Sequence, residues 1–261
     1  EIIASNYTPE IIFTSSGTTG MITSQHQVAK VDLYEHSFLK AFQNAYGAIE
    51  EYCVIGLLPA YLERKGSSLV YMVNRLIEKS NHPHSGFYLN QYSELQQLLQ
   101  QLKSNKQKTI LIGVTFALLD MAENFSVDFP DLIVMETGGM KGRKKEITRD
   151  ELHAILKKQW NLEAIHSEYG MTELLSQAYS LSNGRFQTCS SLRVLVRDIN
   201  DPFDVREEGV GALNFIDLSN QYSCSFVATE DVGKVYDSQS FEVFGRVDHS
   251  ALRGCSLLLL N

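Results

Sequence analysis

The sequence predicts an α/β protein in which helices flank a mixed, mainly parallel sheet and a smaller β-rich subdomain follows. Apolar runs at residues 54–58, 109–113 and 132–136 are typical of buried strands, and the last two resemble strands inside parallel sheets. Amphipathic segments with helical spacing alternate with such runs. From residue 192 onward, strands and turns replace this alternation. We therefore expect an α/β core over residues 1–190 and a β-rich subdomain over residues 191–261.

Local signals predict the first elements in chain order. A strand over residues 10–13 leads into a loop of small and hydroxyl residues. Asp32 is the predicted cap of a helix that Gly47 ends, and Ser93 is the predicted start of a second helix. The apolar positions with helical spacing in these two segments are Leu33, Phe38, Ala41, Phe42, Ala45, Tyr46, Leu95, Leu98, Leu99 and Leu102.

The later elements have equally local signals. Thr148 and Glu151 form a capping-box pattern ahead of a third helix with apolar positions at Leu152, Ile155 and Leu156. The strands predicted for the β-rich subdomain lie at residues 192–196, 211–216, 225–229 and 240–244.

The composition argues against several classes of protein. The 261 residues include 23 Lys and Arg against 31 Asp and Glu, a formal net charge of −8, whereas binding of DNA or RNA irrespective of sequence needs a basic surface. The four cysteines lie far apart and lack metal-ligand spacing, which argues against a zinc site or disulfide framework and favours the reducing cytoplasm. No apolar run reaches the roughly 18 residues of a membrane helix. The chain begins with Glu1, so we expect the native start to lie upstream.

Three loops carry residue types suited to a nucleotide. Glycines let the main chain approach a phosphate, hydroxyls can bond its oxygens, an aromatic ring can stack on a base, and a carboxylate can bind Mg²⁺. In chain order the loops contribute Ser15, Ser16, Gly17, Thr18, Thr19 and Gly20; then Gly138 and Gly139; then Tyr169, Gly170, Thr172 and Glu173. Each loop alone is also consistent with an ordinary turn.

The order of the loops resembles the acyl-adenylate-forming superfamily, which makes acyl-AMP from a carboxylic acid and ATP. Two further segments continue the match: Thr229-Glu230-Asp231, where the superfamily has a Thr-x-Asp, and Gly245-Arg246-Val247-Asp248, where it has its Gly-Arg-x-Asp hinge. The resemblance covers nearly the whole chain and implies the N-terminal core fold of an adenylating enzyme.

The resemblance implies ATP and Mg²⁺ as cofactors and a role for each matching position. The hydroxyls of the first loop would bind the β- and γ-phosphates. Tyr169 would stack on the adenine, which the Gly-Gly loop flanks, and Asp231 would hold both ribose hydroxyls. Thr172 would contact the α-phosphate, and Glu173 would be the magnesium ligand.

The sequence also departs from the superfamily pattern. The lysine that usually follows the phosphate loop is missing, and few residues follow Asp248, so we expect neither the C-terminal lid domain nor its catalytic lysine. Arg246, Lys141 and Arg143 are the candidates for the cation that replaces these lysines.

One branch fits the short C-terminal end: the acyl-protein synthetases of bacterial luciferase systems and their relatives outside luminescent bacteria. Their patterns are similar to residues 57–64, 136–142 and 252–256 here. In that branch the acyl group of a fatty acid passes to a cysteine near the C-terminus. The resemblance therefore implies Cys255 as the acyl carrier, and a reductase or carrier protein as the partner that takes the acyl group.

Alternatives stay open for both activity and residues. An acyl-CoA ligase and a nucleotide-binding interaction module without turnover fit parts of the pattern. Tyr169 is also consistent with a core aromatic residue, Asp231 with a turn, and Glu173 with the first turn of a helix, while His166 is expected to pack rather than to catalyse. Cys255 is also consistent with a buried cysteine in a final apolar strand, since residues 257–260 are all leucine. One apolar set is consistent with either an acyl tunnel or a plain core: Leu57, Leu58, Leu111, Val114, Phe116, Leu118 and Leu119.

Overall fold

The computed structural model describes residue 4 and residues 6–15, 24–58, 66–138 and 147–246, and it confirms the predicted α/β class. A two-stranded hairpin stands beside a 12-stranded sheet. The hairpin consists of β1 (Ile11–Thr14) and β2 (Gln25–Val28), paired so that Thr14 faces Gln25.

The large sheet has a parallel half and an antiparallel half. The parallel strands are β3 (Cys53–Leu57), β4 (Gly86–Phe87), β5 (Thr109–Gly113), β6 (Ile133–Glu136) and β7 (His166–Tyr169), in the spatial order β4-β3-β5-β6-β7. The antiparallel strands are β8 (Ala178–Ser180), β9 (Arg185–Thr188), β10 (Leu192–Arg197), β11 (Val205–Arg206), β12 (Gly209–Asp217), β13 (Phe226–Asp237) and β14 (Ser240–Arg246). They extend the sheet beyond β7 in the order β8-β9-β14-β13-β12-β10-β11. The division at residue 190 stays a prediction.

Five helices flank the sheet in the described part of the chain. They are α1 (Val31–Tyr46), α2 (Ser68–Ser80), α3 (Tyr92–Ser104), α4 (Thr115–Asn124) and α5 (Arg149–Trp160), with short 3-10 turns at Ile49–Glu51 and Leu218–Asn220. None of them is both long and apolar enough to cross a membrane.

Strand β7 shows how the helices divide between the two faces of the sheet. His166 stacks on Tyr46 of α1, whereas the next residue, Ser167, is hydrogen-bonded to His153 of α5 at 3.4 Å. Neighbouring residues of a strand point to opposite faces, so α1 and α5 cover opposite faces. Helix α2 packs with α1, and α4 packs with α5.

The start of α1 differs from the prediction that Asp32 caps it. Lys30 occupies the N-cap position without a side-chain cap, and Asp32 lies in the first turn. Glu10, at the base of β1, supplies the missing acceptor: its Oε2 accepts a hydrogen bond from the main-chain N–H of Val31 at 2.8 Å. The cap therefore comes from a residue 21 positions earlier, which a local pattern cannot show. Gly47, with φ of 88°, ends the helix as predicted.

The other helix signals gave mixed results. The capping box of Thr148 and Glu151 is present at α5, with both reciprocal bonds. The second predicted helix begins at Tyr92 rather than Ser93. Helices α2 and α4 were not predicted. Helix α4 is buried on almost every side, so no amphipathic period marks it.

The apolar set left open between tunnel and core belongs to the main hydrophobic core. Each of its seven residues is at most 6% exposed. The predicted strands of the second half are confirmed, and β13 runs on from the predicted segment through Asp231. The alternative that Asp231 is a turn residue is therefore wrong.

Candidate active site

The three loops predicted to bind a nucleotide follow β1, β6 and β7. Parallel sheets bind ligands at the carboxyl ends of their strands, where β5, β6 and β7 end side by side here. The main-chain N–H of Thr115, which begins α4, donates to the carbonyl of Gly138 at 3.0 Å. This bond fixes the start of the Gly-Gly loop beside the end of β5.

The first loop connects the two strands of the hairpin and is closed at its base. The N–H of Ser15 donates to the carbonyl of Ser24 at 2.9 Å, and the N–H of Ser24 donates to the hydroxyl of Ser15 at 2.9 Å. The Ser24 hydroxyl then donates to Oε1 of Glu173 at 2.6 Å. The base of the Ser/Thr/Gly loop therefore touches the predicted magnesium ligand, although 149 residues separate the two in the chain.

Glu173 lies in a turn that follows β7, together with Thr172, and both side chains are half-buried. The alternative of a carboxylate in the first turn of a helix is therefore wrong. Among the described residues, no cluster of three or more His, Cys, Asp and Glu side chains could hold a metal. A single carboxylate suits Mg²⁺ bound chiefly by nucleotide phosphates and water, so the residues fit the predicted ion.

Two buried polar residues that the sequence analysis missed hold this turn in place. The Asn220 side chain donates to the main-chain carbonyl of Glu173 at 2.7 Å. Asp217 accepts hydrogen bonds from the N–H of Leu175 at 2.7 Å and from the hydroxyl of Ser176 at 2.6 Å. Burial raises the pKa of Asp217, and these hydrogen bonds act against that shift.

Strand β2 joins the same network through His26. Its Nε2 is hydrogen-bonded to Oδ1 of Asn220 at 2.9 Å, so the strand after the first loop and the turn with Glu173 share one anchor. Burial lowers the pKa of His26, while the bond to Asn220 opposes the shift. No local signal in the sequence singles out Asn220, because the two partners that connect it to the candidate site, Glu173 and His26, lie 47 and 194 residues away.

Asp231 connects the predicted adenine and hinge segments. Its Oδ2 accepts a hydrogen bond from the hydroxyl of Tyr169 at 2.7 Å, and its Oδ1 accepts one from Nε of Arg246 at 2.7 Å. The hydroxyl of Thr229 accepts a bond from the N–H of Asp231 at 3.1 Å. Tyr169, Asp231 and Arg246, three of the predicted site residues, are therefore joined by hydrogen bonds through the carboxylate of Asp231.

The ring of Tyr169 is largely buried among aromatic side chains. Phe186, Phe215 and Phe241 surround it with ring centroids 5.3–5.7 Å away. Burial, and the carboxylate of Asp231, raise the pKa of the Tyr169 hydroxyl well above its ordinary value. The ring of Tyr169 therefore lies among core aromatic residues, as its alternative interpretation expects. Stacking of this ring on adenine stays a prediction.

Buried Glu136, which precedes the Gly-Gly loop, forms an ion pair with half-buried Arg149, and the sequence analysis missed both residues. Arg149 donates from Nε to Oε1 of Glu136 at 3.0 Å and from Nη1 to the carbonyl of Val243 at 3.1 Å. Burial alone would raise the pKa of Glu136, but hydrogen bonding with His153 and the charge of Arg149 lower it to about 2. The other oxygen of Glu136 accepts from the N–H of Gly138 at 2.8 Å. The sequence signal that could have identified Glu136 is the presence of a carboxylate at the end of an apolar strand.

His166 packs as expected. It stacks on Tyr46, whose hydroxyl is 3.2 Å from Nδ1, and burial lowers its pKa to about 4. Cys53 and Cys189 are buried and Cys224 is half-buried, all as free thiols, and burial raises the pKa of Cys53 to about 11.

Several predicted residues lie outside the described residues. These are Ser16, Gly17, Thr18, Thr19, Gly20, Gly139, Lys141, Arg143 and Cys255.

Comparison with known proteins decides the family. A family model described as acyl-protein synthetase, LuxE, matches residues 65–261, three quarters of the chain. The chain belongs to the LuxE acyl-protein synthetase family. The part of this LuxE-family chain that the model matches contains the Gly-Gly loop, the Tyr169–Glu173 segment, Asp231, Arg246 and Cys255, and it begins after the Ser/Thr/Gly loop. No curated protein sequence matches the chain.

The fold of this LuxE-family protein is similar to that of solved adenylate-forming enzymes. MatB from Rhodopseudomonas palustris with ATP bound superposes with a TM-score of 0.66 at 14% identity, over 90% of this chain and 47% of that one. MenE, the O-succinylbenzoate coenzyme A synthetase from Bacillus subtilis, in complex with ATP and magnesium, gives 0.60 at 14% identity, over 90% and 49%. A 2-hydroxyisobutyryl-CoA ligase with 2-HIB-AMP and CoA gives 0.62 at 12% identity, over 93% and 59%. The chain spans about half the length of these enzymes.

Proposed function

We propose that the chain activates a carboxylic acid with ATP and then carries the acyl group on Cys255. In the first step a carboxylate oxygen bonds to the α-phosphorus of ATP, the bond from that phosphorus to the bridging oxygen breaks, and pyrophosphate leaves. In the second step the thiolate sulfur of Cys255 bonds to the acyl carbon, and AMP leaves. Family membership supports this order of events.

One observation carries the adenylation proposal. The hydroxyl of Ser24, at the base of the Ser/Thr/Gly loop, donates to Glu173, so the predicted phosphate loop and the predicted magnesium ligand meet. Bound Mg²⁺ would supply charge neutralisation for the phosphates. The chain's own part is to orient Glu173, which the Ser24 hydroxyl and Asn220 do from two sides.

The nucleoside would lie near Tyr169 and Asp231. Asp231 is a largely buried acceptor that the hydroxyl of Tyr169 orients, which suits binding of the ribose hydroxyls. Arg246 now occupies one of its oxygens, but the guanidinium side chain is 63% exposed and can turn toward a phosphate. Arg246 is therefore our preferred replacement for the missing lysines, since its charge lies beside the nucleoside position.

Thr172 would contact the α-phosphate from the turn between Tyr169 and Glu173. Hydrogen bonds between the main chain and the side chains of Asp217 and Asn220 fix that turn. The hydroxyl of Thr172 would therefore meet the reacting phosphate without reorganisation of the loop.

We propose a fatty acid as the acid, and a reductase or carrier protein as the acceptor of the acyl group from Cys255. A cysteine that must stay a thiol fits a reducing compartment, which supports the expected cytoplasmic location. Two alternatives remain. MatB and MenE are similar in fold, and MenE is by name a coenzyme A synthetase, so release of the acyl group to coenzyme A is the second candidate. A nucleotide-binding module without turnover is the third.

Intact-mass spectrometry separates these functions. The protein is incubated with ATP, Mg²⁺ and a panel of carboxylic acids. We expect the wild type to gain one acyl group that hydroxylamine removes, and Cys255→Ser to release pyrophosphate without the hydroxylamine-labile adduct. Cys224→Ser, the matched change at a half-buried cysteine, should keep both.

The other outcomes exclude the proposal. Label on Cys53, Cys189 or Cys224 would remove Cys255 from the mechanism. Acyl-coenzyme A without any protein adduct would identify a coenzyme A ligase. A protein that binds ATP and releases no pyrophosphate with any acid would be a non-catalytic module.

A further inference from the structure

Glu168 lies beside the candidate site but on the other side of β7 from Tyr169. Side chains of adjacent strand residues point to opposite faces, and His166 of the same strand contacts Tyr46 of α1. Glu168 therefore faces α1, whereas the hydroxyl of Tyr169 points to Asp231. A ligand that touches Glu168 lies across the strand from the proposed nucleoside position.

The Glu168 carboxyl borders the main chain of Gly170. A Cβ atom at position 170 would lie 2.5 Å from Oε1 of Glu168 and 3.7 Å from Nε2 of Gln177. Both polar side chains thus reach the residue between Tyr169 and the turn with Thr172 and Glu173, where the acid would be activated.

Gln177 is buried and has an unused hydrogen-bond acceptor. Among the residues that the structure describes, Oε1 of Gln177 has no hydrogen-bond partner, although Gln177 is only 3% exposed. Nε2, the other polar atom of the same amide, is the atom on the side of Gly170. A buried acceptor without a partner costs stability, so a ligand that donates to it would gain binding energy.

The carboxyl group of Glu168 provides a hydrogen-bond donor in addition to this acceptor. Across the part of the chain that the structure describes, its carboxyl makes no hydrogen bond or ion pair. Burial, and then the negative charge of Glu136, raise its pKa to about 8. At neutral pH the group is mostly a protonated carboxylic acid, which can donate a hydrogen bond.

We propose that Glu168 and Gln177 together bind a hydroxyl group on the acid substrate, so that the preferred substrate is a hydroxylated carboxylic acid rather than a plain alkanoic acid. A hydroxyl both accepts and donates, and it would satisfy the Glu168 carboxyl and the Gln177 oxygen at once. A plain alkyl chain would leave both groups unpaired. Sites built to bond a substrate hydroxyl reject analogues that lack it. This inference rests on the proposed function.

The test compares octanoic acid with 2-hydroxyoctanoic and 3-hydroxyoctanoic acids in acid-dependent pyrophosphate release. For the wild type we expect kcat/KM for at least one hydroxy acid to exceed that for octanoic acid by about tenfold or more. Glu168→Leu should cut this ratio at least fivefold while the KM for ATP stays within twofold, because the nucleoside lies across the strand. Glu163→Gln, at an exposed glutamate, should keep the ratio.

Binding without turnover gives an independent readout. Calorimetry with the acid and a non-hydrolysable ATP analogue should show the same order of affinities, and Glu168→Gln, which keeps a donor and the side-chain shape, should retain more of the preference than Glu168→Leu. Equal ratios in the wild type and Glu168→Leu, or a wild-type preference for octanoic acid, would overturn the inference. If no acid supports pyrophosphate release yet the hydroxy acid still binds preferentially, the proposed function fails and the inferred hydroxyl site stands.

Discussion

The hydroxyl of Tyr169 donates a hydrogen bond of 2.7 Å to Asp231, which ties the end of β7 to the middle of β13. Those two strands are separated in the sheet by β8, β9 and β14. The bond therefore holds the two residues that we propose to bind adenine and ribose at a fixed separation.

Tyr169→Phe should raise the KM for ATP about fivefold and change kcat little. The variant keeps the ring for stacking but leaves Asp231 without one of its two donors, and a single hydrogen bond of this kind is worth about 1 kcal/mol. The measurement is pyrophosphate release at varied ATP. Tyr169→Leu, which also removes the ring, should have a larger effect. An unchanged KM in Tyr169→Phe would mean that orientation of Asp231 does not matter for ATP.

Glu173→Gln should lower pyrophosphate release at least 100-fold and shift the Mg²⁺ titration to higher concentration. The change replaces an anionic ligand with a neutral amide and preserves the size of the side chain. Circular dichroism should show an unchanged fold. The same change at exposed Glu163 provides the control. A Glu173→Gln protein with wild-type activity at low Mg²⁺ would refute the magnesium assignment.

Asn220→Ala should destabilise the protein by about 2–3 kcal/mol, because it leaves the carbonyl of Glu173 and the ring of His26 without their buried partner. Ser223→Ala removes a hydroxyl that donates to the same Asn220 oxygen at 2.8 Å and lies 3.4 Å from Nε2 of His26, and it should cost less than about 1 kcal/mol because Asn220 still holds both Glu173 and His26. Urea unfolding measures both values. Equal losses would argue against a central role for Asn220.

The free energy of unfolding should depend on pH because of the raised pKa of Glu168. Its pKa is about 8 in the folded protein against an ordinary value of 4.5, so between these values the folded state holds a proton that the unfolded state has lost. The free energy of unfolding therefore falls as pH rises from about 4.5 to 8. The titratable groups that interact electrostatically with this carboxyl are Tyr34 and Tyr46 on α1, Tyr179 on β8, Tyr169 on β7 and, from the opposite face of the sheet, Glu136 on β6.

Glu168→Gln stays neutral and should lose this component, so its stability relative to the wild type should increase from pH 5 to pH 9. Urea unfolding at pH 5, 6.5, 8 and 9 gives the comparison, with Glu163→Gln as the control. A constant difference between Glu168→Gln and the wild type would show that Glu168 has an ordinary pKa.

Much of the architecture could be predicted because its signals are local. The buried strands β3, β5 and β6 are apolar runs, and the capping box of α5 is complete within four residues. The cap of α1 could not be predicted, since Glu10 reaches it from another strand. Helix α4 could not be predicted because it is buried on nearly all sides, so its sequence shows no amphipathic period.

The candidate site shows the same division. Tyr169, Asp231 and Arg246 were selected by resemblance, and the structure brings them into contact. The residues that hold them in place were missed. Asn220 is an ordinary turn residue in the sequence, and its role depends on partners from distant segments that only the folded chain brings together.

Acid-dependent exchange of labelled pyrophosphate into ATP tests the central claim most directly, because only reversible formation of an acyl-adenylate returns the label to ATP. We predict exchange when ATP, Mg²⁺ and a suitable carboxylic acid are all present, no exchange when the acid is omitted, and loss of exchange in Glu173→Gln. Tight ATP binding with no exchange for any acid, or exchange that does not depend on the acid, would contradict the account.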